Sequence, residues 1–238
     1  EALGMMLPGG AVTPAVGADR LRHAELAGRR AVEIAEEKLT PDQIMTPQSF
    51  TNAFKIMLAI GGSTNGLIHM TAVAGRLGIE VDLESLDSMG RKTPVLVDLK
   101  PSGKHYMEDL EKAGGLTAVL RELAPLLHLD CLTVTGKTLG ENIADMPKSW
   151  AQNVVRPLND PLQVEGGIAV LRGNLAPDGA IIKQSAASPK LMNCEGRAVV
   201  FDSLADLANR IDDPSLDVHE DDFLVLRNAG PKGAPGMP

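Results

Sequence analysis

Ile60-Gly61-Gly62-Ser63-Thr64-Asn65-Gly66-Leu67-Ile68-His69 is the stretch whose residue types and spacing could do chemistry. An apolar helical run (Phe50, Phe54, Met57, Leu58) opens at Thr46-Pro47 and leads into it, and a second run over residues 67–77 follows. A glycine pair can end the first helix in the left-handed conformation, and Ser63, Thr64 or Asn65 can cap the next. Such a corner would turn unpaired backbone N–H groups at a helix N-terminus outward, a seat for a carboxylate or phosphate. The same residues could serve as caps in a plain connector, and spacing alone does not separate the two readings.

Other chemistries find less support. Cys131 and Cys194 are far apart, share no CxxC or Cys/His spacing, and cannot by themselves supply a four-ligand zinc or iron–sulfur site. His23, His69, His105, His128 and His219 never fall three or four residues from one another. Gly136-Lys137-Thr138 follows an apolar run as a phosphate loop would, but no glycine precedes Gly136 at the required distance. The acidic string Glu220-Asp221-Asp222 beside His219 reads as a solvated approach to a strand rather than a metal site.

The bulk properties narrow the class further. A net charge of −8, with one Trp150 and one Tyr106, argues against a nucleic-acid-binding surface, which needs a basic face or several exposed rings. Two lone cysteines fit a reducing compartment. The sequence shows no signal peptide and no apolar run long enough to span a bilayer, so a cytoplasmic protein without membrane or nucleic-acid partners is expected. The opening Glu1-Ala2-Leu3-Gly4 and the closing Gly236-Met237-Pro238 read as a piece of a longer polypeptide.

The elements that must position the corner follow from periodicity and punctuation. Residues 18–39 carry one apolar stripe (Leu21, Leu26, Ala27, Ala31, Ile34, Ala35), with Arg29 and Arg30 on a solvated face. Thr40-Pro41 and Thr46-Pro47 each have the cap-then-proline form of a helix start, with Ile44 and Met45 between them facing inward. His69 is expected to pack in the core of its helix. Residues 94–99 read as a buried strand, followed by the turn Lys100-Pro101-Ser102-Gly103-Lys104. Helices are expected over 107–112 and 116–127, a strand over 131–135, and a short helix after Thr138. Proline-punctuated chain over 147–161 is the candidate domain boundary, giving domains at residues 1–150 and 151–238. Beyond it come strands at 168–171 and 180–183 around a turn at Pro177-Asp178-Gly179, a strand at 197–201, a helix capped by Asp202 or Ser203, and a strand at 223–226. The fold class is α/β: the end of a layered α/β domain followed by the first part of a β-rich, barrel-like domain.

Several segments in the same order resemble the dihydroxy-acid and sugar-acid dehydratase family. They are Gly61-Gly62-Ser63-Thr64-Asn65, Asp98-Leu99-Lys100-Pro101-Ser102-Gly103-Lys104 and Leu132-Thr133-Val134-Thr135-Gly136-Lys137-Thr138. Ala169-Val170-Leu171-Arg172-Gly173-Asn174-Leu175-Ala176-Pro177-Asp178-Gly179-Ala180 and the segment from Gly230-Pro231-Lys232-Gly233 to Pro238 extend the match nearly end to end. Lys183-Gln184-Ser185-Ala186-Ala187-Ser188-Pro189 and Ile211-Asp212-Asp213-Pro214 look more like the sugar-acid (aldonate) branch than the branched-chain amino-acid branch.

The resemblance implies a hydro-lyase that removes water from a 2,3-dihydroxy carboxylate, with Mg2+ holding the carboxylate and 2-hydroxyl and an iron–sulfur cluster ([2Fe–2S]) acting as Lewis acid. It also implies a small-molecule sugar-acid substrate and a homodimer or homotetramer. The cluster, metal and base residues of the family are expected before Glu1 and after Pro238, so no catalytic residue or metal ligand is assigned within this chain, and the piece alone should be inactive. Ser63, Thr64 and Asn65 are expected near the substrate, with Lys100 and Ser102 as further candidates. Lys232 should help carry the backbone towards the metal site, whereas Arg172 and Asn174 are expected to be structural. The alternatives are a dihydroxy-acid dehydratase of branched-chain amino-acid synthesis and, from another class, a non-catalytic anion-binding module.

Overall fold

Threonine–proline pairs set helix starts in the computed structural model, which describes residues 1–146 and 152–229. The first helix, α1 (Ala18–Glu37), is followed by α2 (Pro41–Ile44) and α3 (Pro47–Ala59). Thr40 and Thr46 occupy the N-caps of α2 and α3, each in a capping box with proline inside the first turn. Then come α4 (Thr64–Arg76), α5 (Leu83–Lys92), α6 (Met107–Lys112), α7 (Gly115–Leu123) and α8 (Leu139–Asp145). Pro125 ends α7 early: the expected helix to 127 finishes as a 3₁₀ turn over Ala124–Leu126. α5, capped by Asp82, has no counterpart in the sequence reading, because its few apolar residues make a narrow stripe.

The chain divides into two compact units, Glu1–Ala186 and Ala187–Pro238. In the first, α3 is buried on opposite sides. Ile56 and Ala59 join a cluster with Leu96, Val97, Leu110, Val119 and Leu123. Phe50, Phe54, Met57 and Leu58 join a second with Leu67, Leu86 and Ile168. Asn52, fully buried within α3, holds the loop after α7: its Nδ2 donates to the His128 carbonyl (2.8 Å) and its Oδ1 accepts from the His128 N–H (2.8 Å).

Several expectations are corrected. The segment 94–99 is buried and extended but belongs to no ladder; its pairings with Gln163 and Val155 are single bridges, and Leu96 N–H donates to the Ala59 carbonyl instead. The expected strand at 131–135 is likewise reduced to one bridge, Leu132 with Thr138. No residue of α1 is buried, and Leu21 stands 75 % exposed; the helix docks through Arg30, whose Nε donates to the Val134 carbonyl (2.6 Å) while Glu33 and Glu37 pair with its guanidinium. Arg30 is thus an anchor and not part of a solvated face. His69 is exposed on α4, not packed in the core.

Strands β1 (Ala169–Gly173) and β2 (Ala176–Ile182) form an antiparallel hairpin whose turn is Asn174-Leu175, not Pro177-Asp178-Gly179. The register shifts between Leu171 and Gly173, and Gly179 at φ +108° lies in the resulting irregularity within β2. In the second unit, β3 (Ala198–Phe201) and β4 (Phe223–Leu226) pair in parallel, with α9 (Leu204–Arg210) in the crossover and Ser203 as its N-cap. The chain is an α/β protein. Among the described residues its strands form two two-stranded sheets and close no barrel. Residues 147–151, inside the expected boundary, and the closing segment with Lys232 lie outside the described residues.

In the second unit Arg197 donates to Asp217 (2.6 Å) and to Asp222 (2.7 and 3.2 Å), and Asp222 also accepts the His219 N–H (2.8 Å). These bonds hold the Asp222 carboxyl down at about 2, Arg197 contributing most. A carboxylate with a depressed folded value contributes stability that is complete above the ordinary range near ~4 and is lost as pH falls through the folded value. Asp222→Asn is therefore expected to lower the melting temperature at pH 7, with the difference from wild type shrinking as pH approaches ~2; parallel thermal melts across that range check it. In the first unit, Asn52→Ala should destabilise the chain by about 2–4 kcal/mol, because the buried groups at His128 lose their partners. Urea unfolding measures this, and a change below ~0.5 kcal/mol would contradict the anchoring role.

Candidate functional site

The corner after α3 forms as its sequence suggests. Gly61 takes φ +60°, its N–H reaches the Leu58 carbonyl (3.3 Å), and the Gly62 N–H reaches the Met57 carbonyl (2.8 Å). Ser63 caps α4, its Oγ accepting the Asn65 N–H at 3.2 Å. The Gly66 N–H reaches the Ser63 carbonyl (3.0 Å), so Ser63 satisfies two of the first N–H groups of α4, and what the corner keeps of the expected anion seat is the positive end of the helix dipole.

Three further segments converge on Gly61. The extended chain at Val95 and Val97 runs past it, followed by a turn in which Asp98 Oδ1 accepts the Lys104 N–H (3.0 Å) and the Lys100–Pro101 peptide is cis. Gly167 donates to the Leu58 carbonyl (3.1 Å), and Ser185 N–H donates to the Gly167 carbonyl (3.2 Å). A Cβ at Gly167 would stand 2.8 Å from the Gly61 Cα and 3.0 Å from Ser185 Oγ, so only glycine lets these strands of chain meet. Together they enclose a cavity of about 230 Å³ whose polar wall is Asp98, Ser102, Gln163 and Ser185.

The candidate residues separate around this cavity. Ser102 lines it directly. Ser63, Thr64 and Asn65 sit one turn further on, at the start of α4; Ser63 is exposed, Thr64 and Asn65 are half-buried, and Asn65 Oδ1 is buried without a hydrogen-bond partner. Lys100 is turned to Tyr106, with Nζ 2.6 Å from the phenolic oxygen and 3.8 Å from the ring centroid, and is not in the cavity wall. Asp98, Gln163 and Ser185 were not singled out from sequence. The signal available for them was a further glycine pair, Gly166-Gly167, which marks a close approach of backbone.

A larger cavity of about 370 Å³ lies against α1 and is lined mainly by Met6, Leu7, Ala27, Ala31 and Ile34. Arg20, His23 and Arg30 also border it, but both arginines are engaged with backbone carbonyls and the wall is otherwise apolar, whereas the smaller cavity offers several hydrogen-bonding groups.

Neither cysteine is joined by further potential cluster ligands among the described residues. Cys131 is half-buried beside Asn52 Nδ2 (3.6 Å), and burial, with the nearby Asp130 carboxylate, pushes its thiol up. Cys194 is exposed and donates to the Leu191 carbonyl. Among the described residues no three His, Cys, Asp or Glu side chains gather as a metal site.

Comparison with known proteins accounts for the whole chain. Residues 1–142 match the family model described as dihydroxy-acid/6-phosphogluconate dehydratase N-terminal, and residues 153–238 match its C-terminal counterpart. An L-arabinonate dehydratase of Rhizobium leguminosarum bv. trifolii is 49 % identical over 239 residues, covering 100 % of this chain and 41 % of the relative. An L-arabonate dehydratase of Azospirillum brasilense is 48 % identical, covering 100 % and 41 %. A dihydroxy-acid dehydratase of Caldanaerobacter subterraneus subsp. tengcongensis is 47 % identical, covering 100 % and 42 %. The chain thus spans about two fifths of the length of these relatives. With both matched portions in the same order as in the family, the chain belongs to the dihydroxy-acid/6-phosphogluconate dehydratases.

Proposed function

We propose that the protein carrying this chain is a hydro-lyase that converts a sugar acid, a 2,3-dihydroxy carboxylate, into a 2-keto-3-deoxy acid. The C2–H and C3–O bonds break, water leaves, and the enol tautomerises to the ketone. The observation that carries this reading is the family match along both portions of the chain, together with a hydrogen-bonding cavity at the glycine corner. The names of the most similar relatives do not separate sugar acids from alkyl dihydroxy acids, since both occur at nearly equal identity. The cavity wall supports the sugar acid, because a substrate with hydroxyls beyond C3 has more to offer Asp98, Ser102, Gln163 and Ser185.

In this reading the described residues bind and orient, and do not carry the chemistry. The start of α4, with Ser63, Thr64 and Asn65, offers the positive end of the helix dipole to a carboxylate, and the cavity beside Gly61 holds the remainder of the molecule. Dependence on a divalent metal and an iron–sulfur cluster belongs to the proposal through the family, with ligands other than Cys131 and Cys194. The protein would work in the cytoplasm as a homodimer or homotetramer. In support of the first point, no helix among the described residues is long and apolar enough to cross a membrane.

The gene product that carries this chain, purified anaerobically, is expected to form a 2-keto-3-deoxy acid from L-arabinonate, detected as its semicarbazone, and to lose that turnover on chelation of divalent metal. Failure of iron-replete protein to dehydrate either a pentonate or a hexonate would refute the sugar-acid reading. Turnover confined to 2,3-dihydroxy-3-methylbutanoate would establish the branched-chain alternative in its place.

A further inference from the structure

The hydroxyl of Ser185 is a loose end at the cavity wall. Its Oγ is buried and has no hydrogen-bond partner, although a serine hydroxyl can donate once and accept twice. The backbone of the residue is held in place. Its N–H is tied to the Gly167 carbonyl, Gly167 N–H is tied to the Leu58 carbonyl at the end of α3, and Gln184 Nε2 donates to the Gly166 carbonyl (2.6 Å). Ser185 therefore stands at the wall of the 230 Å³ cavity, its Oγ 3.5 Å from where a Cβ at Gly61 would lie, and rotation about χ1 is the only movement needed to turn that hydroxyl to a ligand. A buried polar group without a partner costs stability, so one on a residue that lines a cavity is best satisfied by a ligand group there.

The charge of that wall decides which end of a ligand it suits. Asp98 contributes a carboxylate, Ser102 and Ser185 hydroxyls and Gln163 an amide, and none of the described residues lining the cavity is Lys, Arg or His. Of the basic residues flanking the wall in sequence, Lys100 is engaged with Tyr106, Lys104 contributes its backbone N–H to Asp98, and His105 Nε2 lies 3.9 Å from Asp98 Oδ2 without lining the cavity. A wall with a carboxylate and no cation repels an anion and accepts hydrogen bonds from hydroxyls.

We infer that this cavity takes the neutral polyhydroxy tail of the substrate rather than its carboxylate, and that Ser185 is the specificity residue that pairs with one of those tail hydroxyls. The inference rests on the sugar-acid reading and sharpens it. The carboxylate is left to the N-terminal end of α4, and an alkyl dihydroxy acid placed in the same cavity would leave Ser185 Oγ unpaired. Sites that hydrogen-bond a substrate hydroxyl discriminate strongly against analogues lacking it.

The test uses Ser185→Ala in the gene product that carries this chain, with L-arabinonate and 2,3-dihydroxy-3-methylbutanoate as probes. Binding is read by calorimetry and turnover by kcat/KM. The variant should melt at or above the wild-type temperature, since it removes an unpaired buried hydroxyl. Its Kd for L-arabinonate should rise at least ~10-fold, and its kcat/KM preference for L-arabinonate over the alkyl acid should fall ~10- to 100-fold. Ser185→Thr, which keeps the hydroxyl, should recover part of the binding. If the Ala variant folds and binds L-arabinonate within twofold of wild type, the assignment of Ser185 is overturned. Wild-type protein that binds L-arabinonate through Ser185 but dehydrates neither acid would instead refute the hydro-lyase reading and leave the binding assignment standing.

Discussion

The carbonyl groups at the C-terminal end of α3 are the point on which the first unit turns. A helix leaves its last four carbonyls without partners inside it, and burial makes each of them costly if unpaired. Here Ile56, Met57, Leu58 and Ala59 carbonyls are all satisfied, but from different directions: by Ile60, by Gly62, by Gly61 and Gly167, and by Leu96 and Val97. One helix end therefore recruits the α3–α4 corner, the extended segment at 94–99 and the Gly166-Gly167 loop. The cavity lies where those three meet, so its walls are placed by hydrogen bonds to a rigid, doubly buried helix and not by loop packing alone.

That construction also explains the division of polarity. The C-terminal end of α3 carries the negative end of a helix dipole, and the cavity beside it presents Asp98 and hydroxyls but no cation. The start of α4, a few residues along the same chain, carries the positive end. A single glycine corner thus sets an environment suited to hydroxyls beside one suited to a carboxylate. A molecule with a carboxylate at one end and a polyol at the other matches that order, whereas an alkyl chain would bring apolar groups to the polar half.

What the sequence made legible was local. Thr40-Pro41, Thr46-Pro47, Ser63 and Ser203 act through bonds that span three or four residues, so caps and helix starts emerge where the residues say. The Gly61-Gly62 corner was readable for the same reason. The misses are tertiary. Residues 94–99 have strand composition, yet their partners are a helix end and single bridges, which no local pattern encodes. The hairpin turn moved to Asn174-Leu175 because Gly179 absorbs a register shift inside β2 that only pairing reveals. α1 has the spacing of a buried face but is held by Arg30, and His69 faces solvent although apolar neighbours surround it in sequence. Ser185 was quoted within a motif without being assigned a role, since an unpaired hydroxyl is a property of its surroundings and not of its residue type.

Cys131 shows how a residue type can mislead in the opposite direction. A half-buried cysteine invites a ligand role wherever a metal or cluster is expected. Its neighbours argue otherwise: Asn52 spends its amide on fixing His128, approaches the sulfur with the same Nδ2, and leaves the thiol in surroundings that favour the protonated form. Among the described residues no set of three potential ligands gathers at Cys131, and its contact is with the Asn52 amide that anchors the loop.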